Sequence, residues 1–190
     1  MQPTFETLSI SDIDLDQKNP RFEPVDSQRE AIFAMLKEQG EKLCELADDI
    51  VEHGLNPSRR FIVFKHKGRY VDGDGNRRMT ALKILETPDL VKDHVLYKKF
   101  SALTQKRKHL VEKVDCVVFP SRESIRHWLE VEHDGQLAGR GQVKWDSAQK
   151  DRFTGIKSIG LQAMDLLVQK GHISRRDAGE MNKTTFDRLL

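Results

Sequence analysis

The spacing of apolar residues in the first part of the chain predicts both helices and strands. In residues 41–53 the apolar side chains recur three and four positions apart, and Gly54 follows them, which is typical of a helix ended by a glycine. The apolar run at residues 61–64 predicts a buried strand, and residues 70–71 begin its partner after a short turn. Residues 8–15 alternate weakly between apolar and polar positions and predict one further strand.

Beyond these segments, the pattern changes from mixed to purely helical at about residue 120. A helix that carries Met79 and Leu82 is predicted to end near Pro88. Residues 115–119 predict a last strand, ended by Pro120. Strands and helices followed by helices alone favour an α/β (α+β) core with an all-helical annex.

The glycine-containing segment 134–143 is the expected joint between two domains. We therefore expect one domain at residues 1–136 and a helical one at residues 144–190.

Composition excludes several classes of protein. The 32 lysines and arginines nearly balance the 30 acidic residues, so the net charge of +2 does not by itself indicate a nucleic-acid partner. No apolar run approaches the roughly 20 residues of a membrane span, and the first residues do not resemble a secretory signal. Cys44 and Cys116 have no neighbours at disulfide-framework or zinc-ligand spacing. These features predict a cytoplasmic protein without a membrane partner.

Residues 72–78, Asp-Gly-Asp-Gly-Asn-Arg-Arg, form the most informative segment. A dinucleotide-binding fingerprint is excluded because Arg78 stands where a third glycine is required, and no P-loop sequence occurs. A calcium loop is excluded because Arg77 would take the glycine position and Lys83 the final glutamate position.

The same segment fits a phosphate-binding turn between a strand and a helix. Backbone amides at a helix N-terminus attract anions, and Gly73 and Gly75 would let a ligand approach the backbone. Asn76 is expected to cap the helix, while Arg77 and Arg78 offer forked donors that suit phosphate oxygens. A plain turn followed by two solvated arginines fits these residues equally well.

Three segments resemble the N-terminal domain of ParB proteins, whose fold is shared with sulfiredoxin. They are Asn19-Pro20-Arg21, residues 46–55 (Leu-Ala-Asp-Asp-Ile-Val-Glu-His-Gly-Leu) and residues 75–81 (Gly-Asn-Arg-Arg-Met-Thr-Ala), in the family's order and spacing. The resemblance implies a small mixed sheet with flanking helices. It also implies that residues 73–78 hold the phosphates of a nucleoside triphosphate, CTP or ATP, with Mg²⁺. Arg21 would be a second contact to phosphate or DNA.

The sequence departs from the family at several positions. Asn76 stands where the family usually has Glu, and Asn56-Pro57-Ser58 replaces a Gln-Pro pair in the loop at residues 54–60, which the family places beside the nucleobase. His133 replaces an Asn that helps to hold magnesium and triphosphate, so Glu132 and His133 are candidate metal ligands. The phosphate loop has no cysteine, and we therefore do not expect sulfiredoxin activity.

The helical annex resembles a helix-turn-helix module, which ParB proteins place after this domain. Residues 174–177 form a capping box that opens a short helix, and a third helix is predicted up to residue 190. Because that helix reaches the last residue, we expect a fragment of a longer protein. A plain three-helix cap is the competing interpretation. The expected DNA contacts are Arg175, Arg176, Lys183, Thr184, Thr185 and Arg188.

Two functions from different classes follow. The first is a nucleotide-gated DNA-binding module in which the phosphate loop controls the annex or a homodimer on DNA, with or without nucleotide hydrolysis. The second is an enzyme on the same loop, a metal-dependent nuclease or a phosphotransferase, with Asp72, Asp74 and Glu45 as candidate catalytic carboxylates. An adaptor that has kept the fold and lost the ligand is a third interpretation.

Overall fold

The computed structural model describes residues 2–106, 111–133, 135, 141, 144–145, 147–155 and 159–180. The chain divides into two compact units, Met1–His133 and Asp134–Leu190. The first unit holds a sheet with helices around it, and the second is helical in the residues that are described.

The sheet of the first unit has five strands. They are β1 (Thr4–Ser9), β2 (Ile13–Leu15), β3 (Phe61–His66), β4 (Arg69–Asp74) and β5 (Lys113–Phe119). The strand order is β1-β5-β3-β4-β2. The β1–β5 and β3–β4 pairs are antiparallel, whereas β2–β4 and β3–β5 are parallel, so the sheet is mixed. The predicted α/β (α+β) class is confirmed.

The single strand predicted at residues 8–15 is wrong, because β1 and β2 lie at opposite edges of the sheet. A 3-10 turn, Ile10–Asp12, separates them. Four residue steps reach at most about 14 Å, whereas five flat strands span about 19 Å, so the sheet must curl. The Tyr70 hydroxyl of β4 accordingly donates a 3.0 Å hydrogen bond to Glu6 of β1.

Five α-helices surround this sheet in the described part of the first unit. They are α1 (Gln28–Gln39), α2 (Glu41–His53), α3 (Asn76–Glu86), α4 (Tyr97–Lys106) and α5 (Arg122–His133). The apolar pattern of the sequence predicts α2 and α3, whereas α1 was not predicted. The missed signal was a capping box, in which Ser27 Oγ accepts from the Glu30 amide and the Glu30 carboxylate accepts from the Ser27 amide.

The two faces of the sheet are covered by different elements. The larger core lies on the side of α1–α4 and contains Val63 and Cys116, whereas Phe64 and Phe119 form a smaller core with Ile125 of α5. Gly73 is an extra residue in β4, so that Val63 pairs with Asp72 and the preceding Ile62 pairs with Asp74. The two aspartates at the end of β4 therefore face opposite sides of the sheet.

The second unit contains α6 (Ser147–Thr154), α7 (Ile159–Gln169) and α8 (Arg175–Glu180). Gly171, with φ +76°, ends α7, and the His172 amide donates to the Leu167 carbonyl. The predicted capping contact of α8 is present, since the Asp177 amide donates to Ser174 Oγ at 3.1 Å. The third helix predicted for the annex lies outside the described residues. None of the described helices is long and apolar enough to cross a membrane.

Candidate functional site

The candidate site begins where β4 ends and α3 starts. Gly75 is the residue before the helix, and its φ of +138° is one that residues with side chains rarely adopt. A Cβ at this position would lie only 2.4 Å from Cδ1 of Phe61. Glycine is therefore required at this turn, where the Phe61 ring and the Arg78 guanidinium pack against the backbone.

Gly73 has a different role from the one the sequence suggested. It lies inside β4, and a Cβ here would meet Cδ1 of Ile125 at 2.3 Å. The space beside Gly73 is thus filled by α5. A ligand has no room on this side of Gly73.

Asn76 was expected to cap α3. It does not, because it is already the first residue of the helix. Its side chain is buried, and its Oδ1 accepts a 2.9 Å hydrogen bond from the Asp16 amide. Its Nδ2 donates at 2.7 Å to the Asp72 carbonyl. The Asn76 amide group therefore ties the segment after β2 to β4.

Arg77 is the second residue of α3, and only some of its side-chain hydrogen-bond donors have partners among the described residues. One Nη donates to the Lys42 carbonyl at 3.2 Å, while the Nε atom is buried and has no hydrogen-bond partner among the described residues. Burial lowers the pKa of Arg77, and the positive charge of Arg21 lowers it further. The positive charges of Arg77 and Arg21 therefore repel each other, and one buried donor of Arg77 is unused by the described residues.

Arg78 is engaged within the protein instead. Its two Nη atoms donate to the Arg59 and Arg60 carbonyls, and its guanidinium lies 4.3 Å from the centre of the Phe61 ring. Burial lowers the pKa of Arg78, while the carboxylates of Asp72 and Asp74 oppose that shift. Arg78 therefore fastens the segment before β3 to the first turn of α3.

An open cleft of about 480 Å³ lies next to that segment. It is lined by Pro57, Ser58, Arg59, Arg60, Ile62, Asp74, Val117 and Glu132. Its wall contains the loop that the resemblance places beside a nucleobase. Within this loop, Asn56 Oδ1 accepts hydrogen bonds from both the amide and the hydroxyl of Ser58.

The last turn of α5 is held against this cleft by two contacts. Glu132 forms a 2.8 Å ion pair with Arg59, and His133 Nε2 lies 3.1 Å from Asp74 Oδ1. Both candidate metal ligands therefore have protein partners. Among the described residues, no three His, Cys, Asp or Glu side chains are grouped so that they could hold a metal ion.

The candidate catalytic carboxylates are not brought together. Asp72 is fully buried on the side of the larger core, and neither of its carboxylate oxygens has a hydrogen-bond partner in the part of the chain that the structure describes. Burial raises the pKa of Asp72 well above its usual value, and Asp74 raises it further. Glu45 is exposed on α2, where the nearby Lys99 of α4 forms its ion pair with Glu41. This arrangement does not provide the converging carboxylates that a metal-dependent nuclease needs.

The candidate DNA contacts fall partly within the described residues. Arg175 and Arg176 are exposed in the first turn of α8. The other four candidates, Lys183, Thr184, Thr185 and Arg188, lie outside the described residues. In the first unit, sequence reasoning missed the contact between Arg59 and Glu132, because no local pattern signals a pair that is 73 positions apart.

Neither cysteine belongs to the site. Cys44 lies in α2 and Cys116 in β5, and both are buried and free. Burial raises the pKa of Cys116 to about 12, with Asp72 adding to the shift. This thiol is therefore not ionised at neutral pH.

Comparisons with known proteins identify a similar structure but no sequence family. No protein-family model matches the sequence, and no curated protein is significantly similar to it. Among solved structures, sulfiredoxin from Arabidopsis thaliana is similar, with 19% sequence identity and a TM-score of 0.31. The similarity covers 67% of this chain and 98% of the sulfiredoxin chain.

Proposed function

We propose that the first unit binds the phosphates of a nucleoside triphosphate at the start of α3, and that this binding controls DNA binding by the helical unit. The observation that carries the proposal is the buried Nε of Arg77, which no described residue satisfies and which lies beside the charge of Arg21. A phosphate oxygen would accept from this donor and would offset the repulsion between the two guanidinium groups.

The N-terminus of α3 itself favours the binding of an anion. The backbone N–H groups of the first residues of α3 have no partners within the helix, and the helix dipole favours negative charge there. α3 has no acidic residue in its first turn.

The cleft supplies a place for the rest of a nucleotide. Arg78 links the backbone of Arg59 and Arg60 in its wall to the first turn of α3, and Asp74 in its lining stands two residues before that helix. Ile62 and Val117 provide apolar surface, and Ser58 provides a polar group, a mixture that is typical of small-molecule sites.

CTP and ATP with Mg²⁺ are the nucleotides proposed from the resemblance to ParB proteins. Mg²⁺ bound to nucleotide phosphates usually takes one or two protein carboxylates. Asp74 lines the cleft directly before the phosphate-binding turn and is the carboxylate that fits this role. The ion would neutralise part of the phosphate charge.

DNA is the proposed partner of the second unit. Arg175 and Arg176 are exposed at the start of α8, which follows α7 after a short turn as in helix-turn-helix modules. Either the annex or a homodimer closed on DNA would respond to the nucleotide.

Titration calorimetry with CTP, ATP and GTP in the presence of Mg²⁺ tests the nucleotide site. We expect one of them to bind the wild-type protein and Arg77→Ala to lose at least tenfold in affinity. Arg29→Ala removes an arginine whose ion pair with Asp93 is exposed, and it should bind like the wild type. If a folded wild-type protein binds none of the three nucleotides, the proposal is overturned.

A further inference from the structure

We infer that Phe5, together with the Arg60 guanidinium that lies against its ring, forms a stacking platform for the base of the bound nucleotide at the outer end of the cleft. This inference rests on the proposed function, because it concerns the same nucleotide. It gives a role in ligand binding to a residue of β1, outside the segments 54–60 and 72–78 that the sequence singles out.

The first observation is a row of side chains that crosses the sheet. Phe5 of β1 is opposite Val117 of β5, and Val117 is opposite Ile62 of β3. Ile62 is in turn opposite Asp74 of β4. Side chains of directly paired residues lie on the same face of a sheet. The last three of these residues line the cleft, so the row continues from the cleft to Phe5.

The two ends of this row differ in chemistry. Asp74 stands two residues before α3 and is the carboxylate proposed for Mg²⁺. Phe5 lies three strands away, about 14 Å along the sheet at a strand spacing of about 4.8 Å. The cleft extends from Asp74 in the direction of Phe5, through Ile62 and Val117. A nucleotide whose phosphates lie at the Asp74 end therefore directs its base toward Phe5.

Phe5 is left open by the helix that covers the neighbouring part of this face. Ile62 and Val117 are partly buried and pack against the smaller core, which contains Ile125 of α5. Phe5 is 67% exposed. A planar ligand that covers this ring removes apolar surface from water, which favours binding.

Arg60 completes the platform from the wall of the cleft. Its guanidinium carbon lies 5.1 Å from the centre of the Phe5 ring, and its carbonyl accepts a hydrogen bond from Arg78. In the part of the chain that the structure describes, Arg59 pairs with Glu132, whereas Arg60 forms no ion pair. Nucleobases stack both on aromatic rings and on the planes of arginine guanidinium groups, so each member of the Phe5–Arg60 pair suits a base.

Stacking of this kind has a consequence for specificity. Every base has a π-face, so the platform accepts any of them. It therefore adds affinity for a nucleotide that the triphosphate group alone does not gain. The choice among bases is left to hydrogen bonds elsewhere in the cleft.

Calorimetric titration of the full chain with two ligands tests the inference. The ligands are the one of CTP, ATP and GTP that binds the wild type most tightly, and inorganic triphosphate, each with Mg²⁺. Phe5→Ala should lose about tenfold in affinity for the nucleotide, as expected for one stacked base, and should bind inorganic triphosphate like the wild type. Phe5→Tyr keeps the ring and should bind both ligands like the wild type.

Phe33→Ala is the matched control, because the Arg29 guanidinium carbon also lies 5.1 Å from the centre of the Phe33 ring, on α1 and outside the lining of the cleft. It should leave both affinities unchanged. If Phe5→Ala binds the nucleotide like the wild type, or loses affinity for both ligands by the same factor, the inference is overturned and the proposed function stands. If the folded wild-type protein binds no nucleotide, the proposed function fails and the inference fails with it.

Discussion

Arg122, the first residue of α5, donates two parallel hydrogen bonds of 2.6 Å to the carboxylate of Asp16. Asp16 is buried directly after β2, and its amide donates to Asn76 at the start of α3. The guanidinium of Arg122 also donates to the Lys18 carbonyl at 2.9 Å. Asp16 therefore connects the segment after β2 to both helices that border the candidate site, with its carboxylate bound to α5 and its amide bound to α3.

Removing Arg122, the partner of the Asp16 carboxylate, should destabilise the protein. In Arg122→Ala, Asp16 stays buried and loses two charged hydrogen bonds, and we expect the free energy of unfolding to fall by about 2–3 kcal/mol. Arg126→Ala, on the same helix, removes an exposed pair with Glu130 and should change stability by less than about 0.5 kcal/mol. Urea unfolding of the two variants measures the difference. Equal losses would contradict the structural role of the Asp16–Arg122 pair.

Gly75→Ala should destabilise the protein through both its backbone and its packing. The φ of +138° disfavours a side chain, and the new methyl group would overlap the Phe61 ring, so we expect a loss of about 2–4 kcal/mol. Gly68 also has a positive φ, but a Cβ added there would meet no described atom within 4 Å, so Gly68→Ala should lose only about 1–2 kcal/mol. The comparison is made by thermal unfolding, and a smaller loss at Gly75 than at Gly68 would rule out the close contact with Phe61.

Asp72 should make stability depend on pH. Its pKa in the folded protein is raised, so the folded state binds a proton that the unfolded chain releases near pH 4. The contribution of Asp72 to the free energy of unfolding is fully present below that pH. It is lost as the pH rises through the folded-state pKa, and the free energy of unfolding then falls by at most about 1.4 kcal/mol per pH unit. In Asp72→Asn this loss is absent, so the variant should gain stability relative to wild type as the pH increases.

Urea unfolding between pH 5 and pH 8 measures that difference. Asp93→Asn removes a carboxylate that is exposed and paired with Arg29 on the surface, and its difference from wild type should stay nearly constant over the same range. A constant difference for Asp72→Asn as well would show that Asp72 titrates normally.

The proposed DNA contacts in α8 should appear in the salt dependence of binding. Replacement of both Arg175 and Arg176 by alanine should weaken nucleotide-dependent DNA binding and reduce the slope of log K against log salt concentration by about 2. A double alanine variant of Lys37 and Lys92 removes the same charge from exposed positions of the first unit and should keep the wild-type slope. Fluorescence anisotropy at several salt concentrations measures both. Equal slopes in all three proteins would exclude these arginines as phosphate contacts.

Elements defined by short-range patterns were predicted from the sequence. The apolar spacing of α2 and the β3–β4 pair depend on neighbours within a few positions, and the structure confirms them. The split between β1 and β2 was missed, since Ile10 and Ile13 are both buried but lie three positions apart around a turn. The change of direction at this turn follows from strand pairing, because β1 pairs with β5 at one edge of the sheet and β2 pairs with β4 at the other.

In the candidate site, too, the contacts between distant segments could not be predicted from the sequence. The sequence by itself determined the turn at Gly75, the helix that follows it and the presence of two arginines in its first turn, because these depend on local backbone chemistry. The tertiary structure decided the roles of the neighbours. Gly73 accommodates Ile125, and Asn76 binds the Asp16 amide.

The two arginines illustrate the physical reason. Arg77 and Arg78 are adjacent and chemically identical, yet Arg78 is bound to the Arg59 and Arg60 carbonyls while Arg77 keeps a buried donor unused by the described residues beside Arg21. Residue type and spacing determine which groups a side chain can offer. Burial and the partners that distant segments bring close determine which of those groups remain available to a ligand.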